Sequence, residues 1–235
     1  MNLQKLNLDQ FLLYHDDDLV VINKPPYLLS VPDGYDPQIP HLRKILEPQL
    51  GPLWMVHRLD KETSGAMILA RNEDSHRQLN TDFKGRMIGK TYHGLVTPVP
   101  DWQEKNIQLP LKPNADRKHR TRVEPTSGKF SHSICKLLKR FPVGVLMEIQ
   151  ILTGITHQIR AHLRAYDLVL FGETLYNAGL SPQPIKMDRV MLHSRMLVFS
   201  HPKTKESLTI TAPYPDDFRA AYTKLRFTTD PDELI

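Results

Sequence analysis

The chain has 235 residues, 40% hydrophobic and 24% charged, enough for one sizeable core or two small ones. It opens with Met1-Asn2-Leu3-Gln4-Lys5-Leu6 and reaches Asp16-Asp17-Asp18 without an apolar run, which argues against a signal peptide or membrane span and predicts a cytoplasmic protein. The single cysteine, Cys135, can form neither an internal disulfide nor a cysteine-rich zinc site.

Leu19-Val20-Val21-Ile22-Asn23, closed by Lys24-Pro25-Pro26, reads as a short buried strand. Ala66-Met67-Ile68-Leu69-Ala70 reads as a second, followed by Asn72 as the cap of a polar helix through Leu79 and Phe83 to Lys84. Further strands are expected at Lys90 to Val96, Val145 to Leu152, Met196 to Ser200 and Leu208 to Thr211. Thr156 to Ala165 spaces Ile159 and Leu163 four apart, the apolar stripe of a helix, with His157, Arg160 and Arg164 on another face. Asp216 is placed to cap a last helix carrying Phe218, Tyr222 and Leu225, and the polar tail from Thr228 to Leu234 is expected to fray. Strands outnumber helices, which gives a mixed α+β class. No repeat, low-complexity tract or linker interrupts the chain, so one domain over residues 1–235, with its core over about 14–226, is the simplest organisation.

The net charge of +5 is unevenly spread. Between Lys105 and Arg140 ten basic residues face only Asp116 and Glu124, a local balance of +8 that leaves the remainder at −3. Within that segment Arg117, Lys118, Arg120 and Arg122 concentrate donors suited to phosphates. The same run would also serve as an ordinary solvated loop.

The chemistry-bearing stretch is His57-Arg58-Leu59-Asp60-Lys61-Glu62-Thr63-Ser64-Gly65, just before the second strand. A carboxylate beside an arginine, in a loop backed by a buried strand, is a common way to mount a catalytic group. By composition alone it reads equally as a surface ion pair and a turn. The literal string resembles the His-Arg-Leu-Asp, two residues, Thr-Ser-Gly signature of RluA-type pseudouridine synthases. The same family is resembled, in the expected order, by Ile22-Asn23-Lys24-Pro25, by Lys90-Thr91-Tyr92-His93-Gly94-Leu95-Val96 and by Thr153-Gly154-Ile155-Thr156-His157-Gln158-Ile159-Arg160. Leu192-His193-Ser194, Phe199, His201-Pro202 and Ala212-Pro213 extend the likeness, which runs from about residue 14 to residue 220.

The resemblance implies a pseudouridine synthase-like domain with a central mixed, mostly antiparallel sheet and flanking helices. It also implies isomerisation of uridine to pseudouridine in structured RNA, without a cofactor or metal and without a partner subunit. Asp60 corresponds to the catalytic aspartate, Tyr92 to the tyrosine that packs on the target base, Arg160 to the aspartate's partner and Arg58 to the motif arginine that helps open the RNA. Nothing separates nucleophilic attack at C1′ or on the uracil ring from assistance to a glycal intermediate. Ribosomal RNA has a slight edge over transfer RNA, and no separate N-terminal S4 module is expected. Ile155 stands where the family has arginine, and Glu173 where it has aspartate.

Other classes fare worse. His157 and His162 are five apart, on different helix faces, and no HExxH string occurs. Phosphate-cradling GxxxxGK[ST] and GxGxxG strings are missing, and a Ser64, His57, Asp60 hydrolase lacks the GxSxG elbow. The main alternative is a noncatalytic RNA-binding or RNA-chaperone relative.

Overall fold

The computed structural model describes residues 11–34, 36 and 38–225. In chain order its elements are β1 (Leu12–His15), β2 (Leu19–Lys24), α1 (Leu42–Leu50), β3 (Trp54–Met55), β4 (Ser64–Ala70), α2 (Glu73–Lys84), β5 (Gly89–Thr97), β6 (Glu104–Ile107), β7 (Leu111–Lys112), β8 (Arg122–Val123), β9 (Ser133–Phe141), β10 (Gly144–Ile151), α3 (Gln158–Arg164), β11 (Val169–Leu170), β12 (Leu192–Ser200), β13 (Ser207–Thr211) and α4 (Asp216–Lys224). The class is α+β with mostly antiparallel pairing. Contacts group the chain into two compact units: the chain up to Gly89 with Ser194–Pro213, and Lys90–His193 with the chain from Tyr214.

In the first unit, β1-β2-β4-β12 is the strand order, with β3 on β4 and β13 on β12. β2 lies antiparallel to β4 from Leu19 opposite Ala70 to Lys24 opposite Gly65. Both strands are near-continuous apolar runs because both of their faces are buried. Leu19, Val21, Ala66, Ile68 and Ala70 pack with Leu79 of α2 and with Ile88, Leu197 and Phe199. Asn72 caps α2 by accepting the Ser75 N–H at 2.9 Å, and Glu73 and Asp74 in the first turn complement the helix dipole. Gly65 has φ +114°, and a Cβ there would lie 2.2 Å from the backbone oxygen of Ser194. The glycine of the Thr-Ser-Gly string is therefore demanded by the closeness of β12 to β4.

In the second unit the order is β5-β10-β9-β6, with β11 on β5 and a separate β7–β8 ribbon. Leu95, Leu146, Phe171 and Met191 pack with Tyr214, Phe218 and Tyr222 around α4. The buried Arg189 donates Nη2 to Asp217 at 2.9 Å and Nη1 to the Val190 carbonyl at 2.9 Å, tying α4's first turn to the 189–192 turn. Pro215, not Asp216, is the N-cap of α4, and Asp216 and Asp217 fill its acidic first turn. The tail expected to fray from Thr228 onward lies outside the described residues.

The expected elements are present with shifted ends: the strand before Ser200 starts at Leu192, and α3 starts at Gln158 rather than Thr156. α1, β9 and the short strands β1, β3, β6, β7, β8 and β11 were not anticipated. Cys135, on β9, is buried, and burial pushes its thiol up to about 12. His162 on α3 is also fully buried: Ser133 Oγ lies 2.9 Å from Nδ1, and Nε2 is 3.1 Å from the Leu109 carbonyl. A carbonyl only accepts, so Nε2 carries the proton.

Burial lowers the pKa of His162, against the Leu109 hydrogen bond that raises it. Below about pH 6.5 the unfolded chain therefore takes up a proton that the folded chain resists, and stability falls with acidification towards the depressed folded pKa. Urea unfolding between pH 7.5 and 5 should show that decline, and His162→Asn should flatten part of it.

Candidate active site

The 57–63 loop in the first unit is built from the backbone outward. His57 stacks on Phe83 with ring centroids 4.6 Å apart, and its Nε2 accepts the Ile68 N–H at 2.9 Å. That nitrogen fastens the start of the loop to β4, and Ser64 is buried at the start of the same strand. This geometry weighs against a Ser64, His57, Asp60 hydrolase, because Ser64 is buried and His57 Nε2, the nitrogen accepting the Ile68 N–H, is occupied by backbone. Thr63 N–H donates to the Asp60 carbonyl at 3.1 Å, closing a turn over Asp60. Leu59 and Thr63 are buried, Asp60 is half-buried and Arg58 is exposed, so the two polar residues of the string project from an apolar frame.

Lys24 is fully buried. Its Nζ donates to the carbonyls of Pro25 (2.9 Å), Leu28 (2.9 Å) and Lys61 (3.3 Å). A buried charge is tolerated only with such partners, so the Asn23-Lys24-Pro25 stretch serves as a clamp on the Asp60 loop. The sequence singled out this stretch without indicating that task.

In the second unit Tyr92 lies on β5 opposite Ile149, and it is buried. Gly94, two residues on and so on the same strand face, leaves room for Leu170, whose Cδ2 would lie 2.6 Å from an added Cβ. His93 points to the other face, where its Nδ1 bonds the Tyr214 hydroxyl.

Arg160 projects from α3. Its Nε and Nη2 donate to the two carboxylate oxygens of Glu173 at 2.6 and 2.7 Å, and its guanidinium lies 5.1 Å from the centre of the Tyr176 ring. Glu173 also accepts the N–H groups of Leu175 (2.7 Å) and Tyr176 (3.2 Å). The Tyr176 hydroxyl accepts the Thr121 N–H at 2.7 Å and lies 3.1 Å from His157 Nδ1. The glutamate at position 173 is thus a fork that fixes the arginine's plane, a role only hinted at by its departure from the family's aspartate. Ile155, the other departure, packs with Leu111, Val123, Ala161, Leu175 and Tyr176.

The basic segment is more ordered than a solvated loop. Asp116 Oδ2 pairs with Arg120 Nε (2.7 Å) and Arg122 Nη2 (2.8 Å), while Oδ1 accepts the N–H groups of Lys118 and Arg120. Desolvation opposes ionisation of Asp116, but these bonds outweigh it and hold its pKa down at about 2. Arg117, Lys118 and Arg122 are exposed, and Arg120 is half-buried as part of the loop's own scaffold. Lys112 stands directly opposite Arg122 on the β7–β8 ribbon.

Among the described residues, Asp16, Asp18 and His201 bring potential metal-ligating atoms within 4.8 Å of one another. Their bonds give them a structural task instead. His201 Nδ1 accepts from Lys203 and Thr204 N–H, so Nε2 carries the proton and donates to Asp16 at 2.8 Å. Burial opposes the ionisation of Asp16, yet the Tyr14 hydroxyl, the N–H groups of Leu19 and Asp18 and His201 together hold it at about 2. No helix among the described residues is long and apolar enough to cross a membrane.

Comparison with known proteins agrees with the fold and the family. The RNA pseudouridylate synthase family model matches residues 18–165. An uncharacterised RNA pseudouridine synthase of Helicobacter pylori is 29% identical, over 99% of this chain and 75% of that protein. The ribosomal large subunit pseudouridine synthase C of Haemophilus ducreyi is 30% identical, over 93% and 70%. The structure of human RNA Pseudouridylate Synthase Domain Containing 4 superposes with a TM-score of 0.78 at 25% identity, covering 95% of each chain. The chain belongs to the RluA-type RNA pseudouridine synthases, isomerases that act on uridine in RNA.

Proposed function

We propose that this enzyme isomerises uridine within structured RNA through Asp60 as its essential carboxylate, and that ribosomal RNA is its favoured substrate. The reaction breaks the N1–C1′ bond, turns the uracil and forms the C5–C1′ bond, while the C5 proton leaves and N1 regains one. There is no net redox change, and no cofactor is called for. An ionised carboxylate can attack, or stabilise positive charge at C1′, and a guanidinium can serve as its counter-charge. In this reading Arg160 supplies that charge, Tyr92 stacks on the rotated base, and Arg58 helps extract the nucleotide from the RNA. The observation that carries the reading is the turn holding Asp60: Leu59 before it and Thr63 after it are buried and hydrogen-bonded through their backbones, while Asp60 itself is half-buried. On this reading the chain acts as a monomeric catalytic domain in the cytoplasm. The ribosomal preference is supported by the ribosomal name of the Haemophilus ducreyi relative.

Extruding a uridine costs a few kcal/mol, and phosphate contacts by Arg117, Lys118, Arg120 and Arg122 are proposed to offset that cost. The ribbon's apolar face, Leu111 and Val123, packs with Ala161 of α3 and with Tyr176, whereas Lys112 and Arg122 are exposed. RNA is the natural counterpart of that charged side.

Pseudouridine mapping of total RNA from cells with and without the gene is the direct test. Loss at one or a few ribosomal positions, restored by wild type and not by Asp60→Ala, is expected; restoration by Asp60→Ala would leave the noncatalytic reading. In vitro, Asp60→Ala should lower single-turnover rate by more than ~1000-fold with RNA affinity changed less than about twofold. The double variant Arg117→Gln, Lys118→Gln should reduce the slope of log affinity against log salt by about 1–2, as expected for one or two lost phosphate contacts. Glu173→Ala removes the carboxylate that grips a largely buried arginine, so urea unfolding should register a loss of about 3–5 kcal/mol, with turnover falling further than RNA affinity.

A further inference from the structure

Asp60 is held on both sides through its neighbours' peptide groups. On the C-terminal side, the Lys61 carbonyl accepts from Tyr27 N–H at 2.8 Å as well as from Lys24. On the N-terminal side one hydroxyl does the whole task. Ser30 Oγ donates to the Leu59 carbonyl at 2.7 Å and accepts the Leu59 N–H at 3.1 Å. Ser30 is 3% exposed and Leu59 4%, so water has little access to these bonds.

A single side chain thereby meets both backbone groups of one residue, as a neighbouring strand would. Among small side chains only a hydroxyl can donate and accept at once from one atom, which rules out alanine and makes the weak S–H donor of cysteine a poor substitute. The consequence is local. Leu59 can turn about its backbone only by breaking two buried hydrogen bonds, and the direction of the Asp60 carboxylate follows from the Leu59 and Asp60 torsions. Among the described residues Ser30 makes no other side-chain hydrogen bond, so its polar capacity is directed at this loop.

We propose that Ser30 is a positioning residue for the isomerisation, its hydroxyl setting the peptide planes that aim Asp60 at the target nucleotide. The inference rests on Asp60 being the essential carboxylate. A shift of about 1 Å in a reacting group can cost about 100-fold in rate, so loosening this bond should appear in the chemical step and not in RNA binding.

The test compares Ser30→Ala, Ser30→Cys and Ser30→Thr with wild type and Asp60→Ala in the full chain. The probe is ribosomal and transfer RNA purified from cells lacking the gene. Single-turnover rates with enzyme in excess, and RNA dissociation constants, are measured well below the melting temperature of each variant. The Ala and Cys variants should be slowed about 30- to 100-fold with affinity within about twofold of wild type, and Thr should recover to within about threefold of the wild-type rate. If Ser30→Ala does not fold, Ser30→Cys, which keeps the volume and lacks a strong donor, carries the comparison. Wild-type rates in Cys, or a rate loss that tracks affinity and is not restored by Thr, overturn the proposal. Full activity in Asp60→Ala would sink the underlying reading; an inactive Asp60→Ala beside a fully active Ser30→Cys sinks only the positioning role.

Discussion

The buried side chain of Lys24, whose Nζ meets three backbone carbonyls, is the constraint around which the Asp60 loop is arranged. A lysine with no exposed surface inside an apolar pair of strands would be strongly destabilising unless its charge met oriented dipoles. The carbonyls of Pro25, Leu28 and Lys61 meet that need, and they come from two segments far apart in sequence. To bring them to one nitrogen, the chain after β2 has to curl back and the chain after Asp60 has to pass beside it. Gly65 permits this from the other side, since the residue opposite Lys24 in the β2–β4 register carries no side chain. Charge burial, strand register and loop path are therefore one problem with one solution, and Asp60 sits at its centre.

The second unit uses a different device for the same end. Glu173 places both oxygens on Arg160 and also accepts two N–H groups of the following turn, so arginine, turn and Tyr176 move as a body. Tyr176 then reaches the backbone of Thr121, whose hydroxyl donates to the Thr156 carbonyl at 2.6 Å just before α3. Thr121 lies between Arg120 and Arg122. The proposed phosphate-binding residues and the proposed partner of the proposed catalytic carboxylate are thus joined by a short chain of hydrogen bonds within one unit. In such a network, loss of one member disturbs the rest, which is why a buried glutamate without any direct role in bond-making can still matter.

The sequence made the strands of the first unit legible because β2 and β4 are short, β-branched or apolar, and bounded by turn residues. It was less informative where charge and structure share a segment. β9 alternates buried Ser133, Cys135 and Leu137 with more exposed neighbours, but its lysines and arginine drew it into a basic stretch, and a register shift against β10 breaks its period. α1 contains Pro48, which ordinarily ends a helix, and its cap is His41 rather than a hydroxyl or carboxylate residue. Asp60, Tyr92 and Arg160 were legible only through the motif: a lone aspartate in a loop carries no periodic signal. Lys24, Ser30 and Glu173 were harder still, because their tasks depend on partners between 13 and 37 residues away that only the folded chain brings near.

The two departures from the family pattern acquire a common physical sense on this frame. An arginine at position 155 would place a charge against the apolar side of the ribbon, where Leu111, Val123, Ala161 and Leu175 gather; isoleucine instead joins that cluster. The ribbon is then fastened to α3 by apolar burial on one side, and its other side carries Lys112 opposite Arg122. Position 155 carries no charge, so on this proposal phosphate contact falls to the ribbon and the Asp116 turn. Glu173 complements the change, because its longer side chain spans both Arg160 and the turn leading to Tyr176, which packs against the same cluster. Position 155 sets how the ribbon is seated and position 173 sets how Arg160 is held. The two substitutions meet at Tyr176, so their effects on turnover should be non-additive, as expected for residues that share a packing partner.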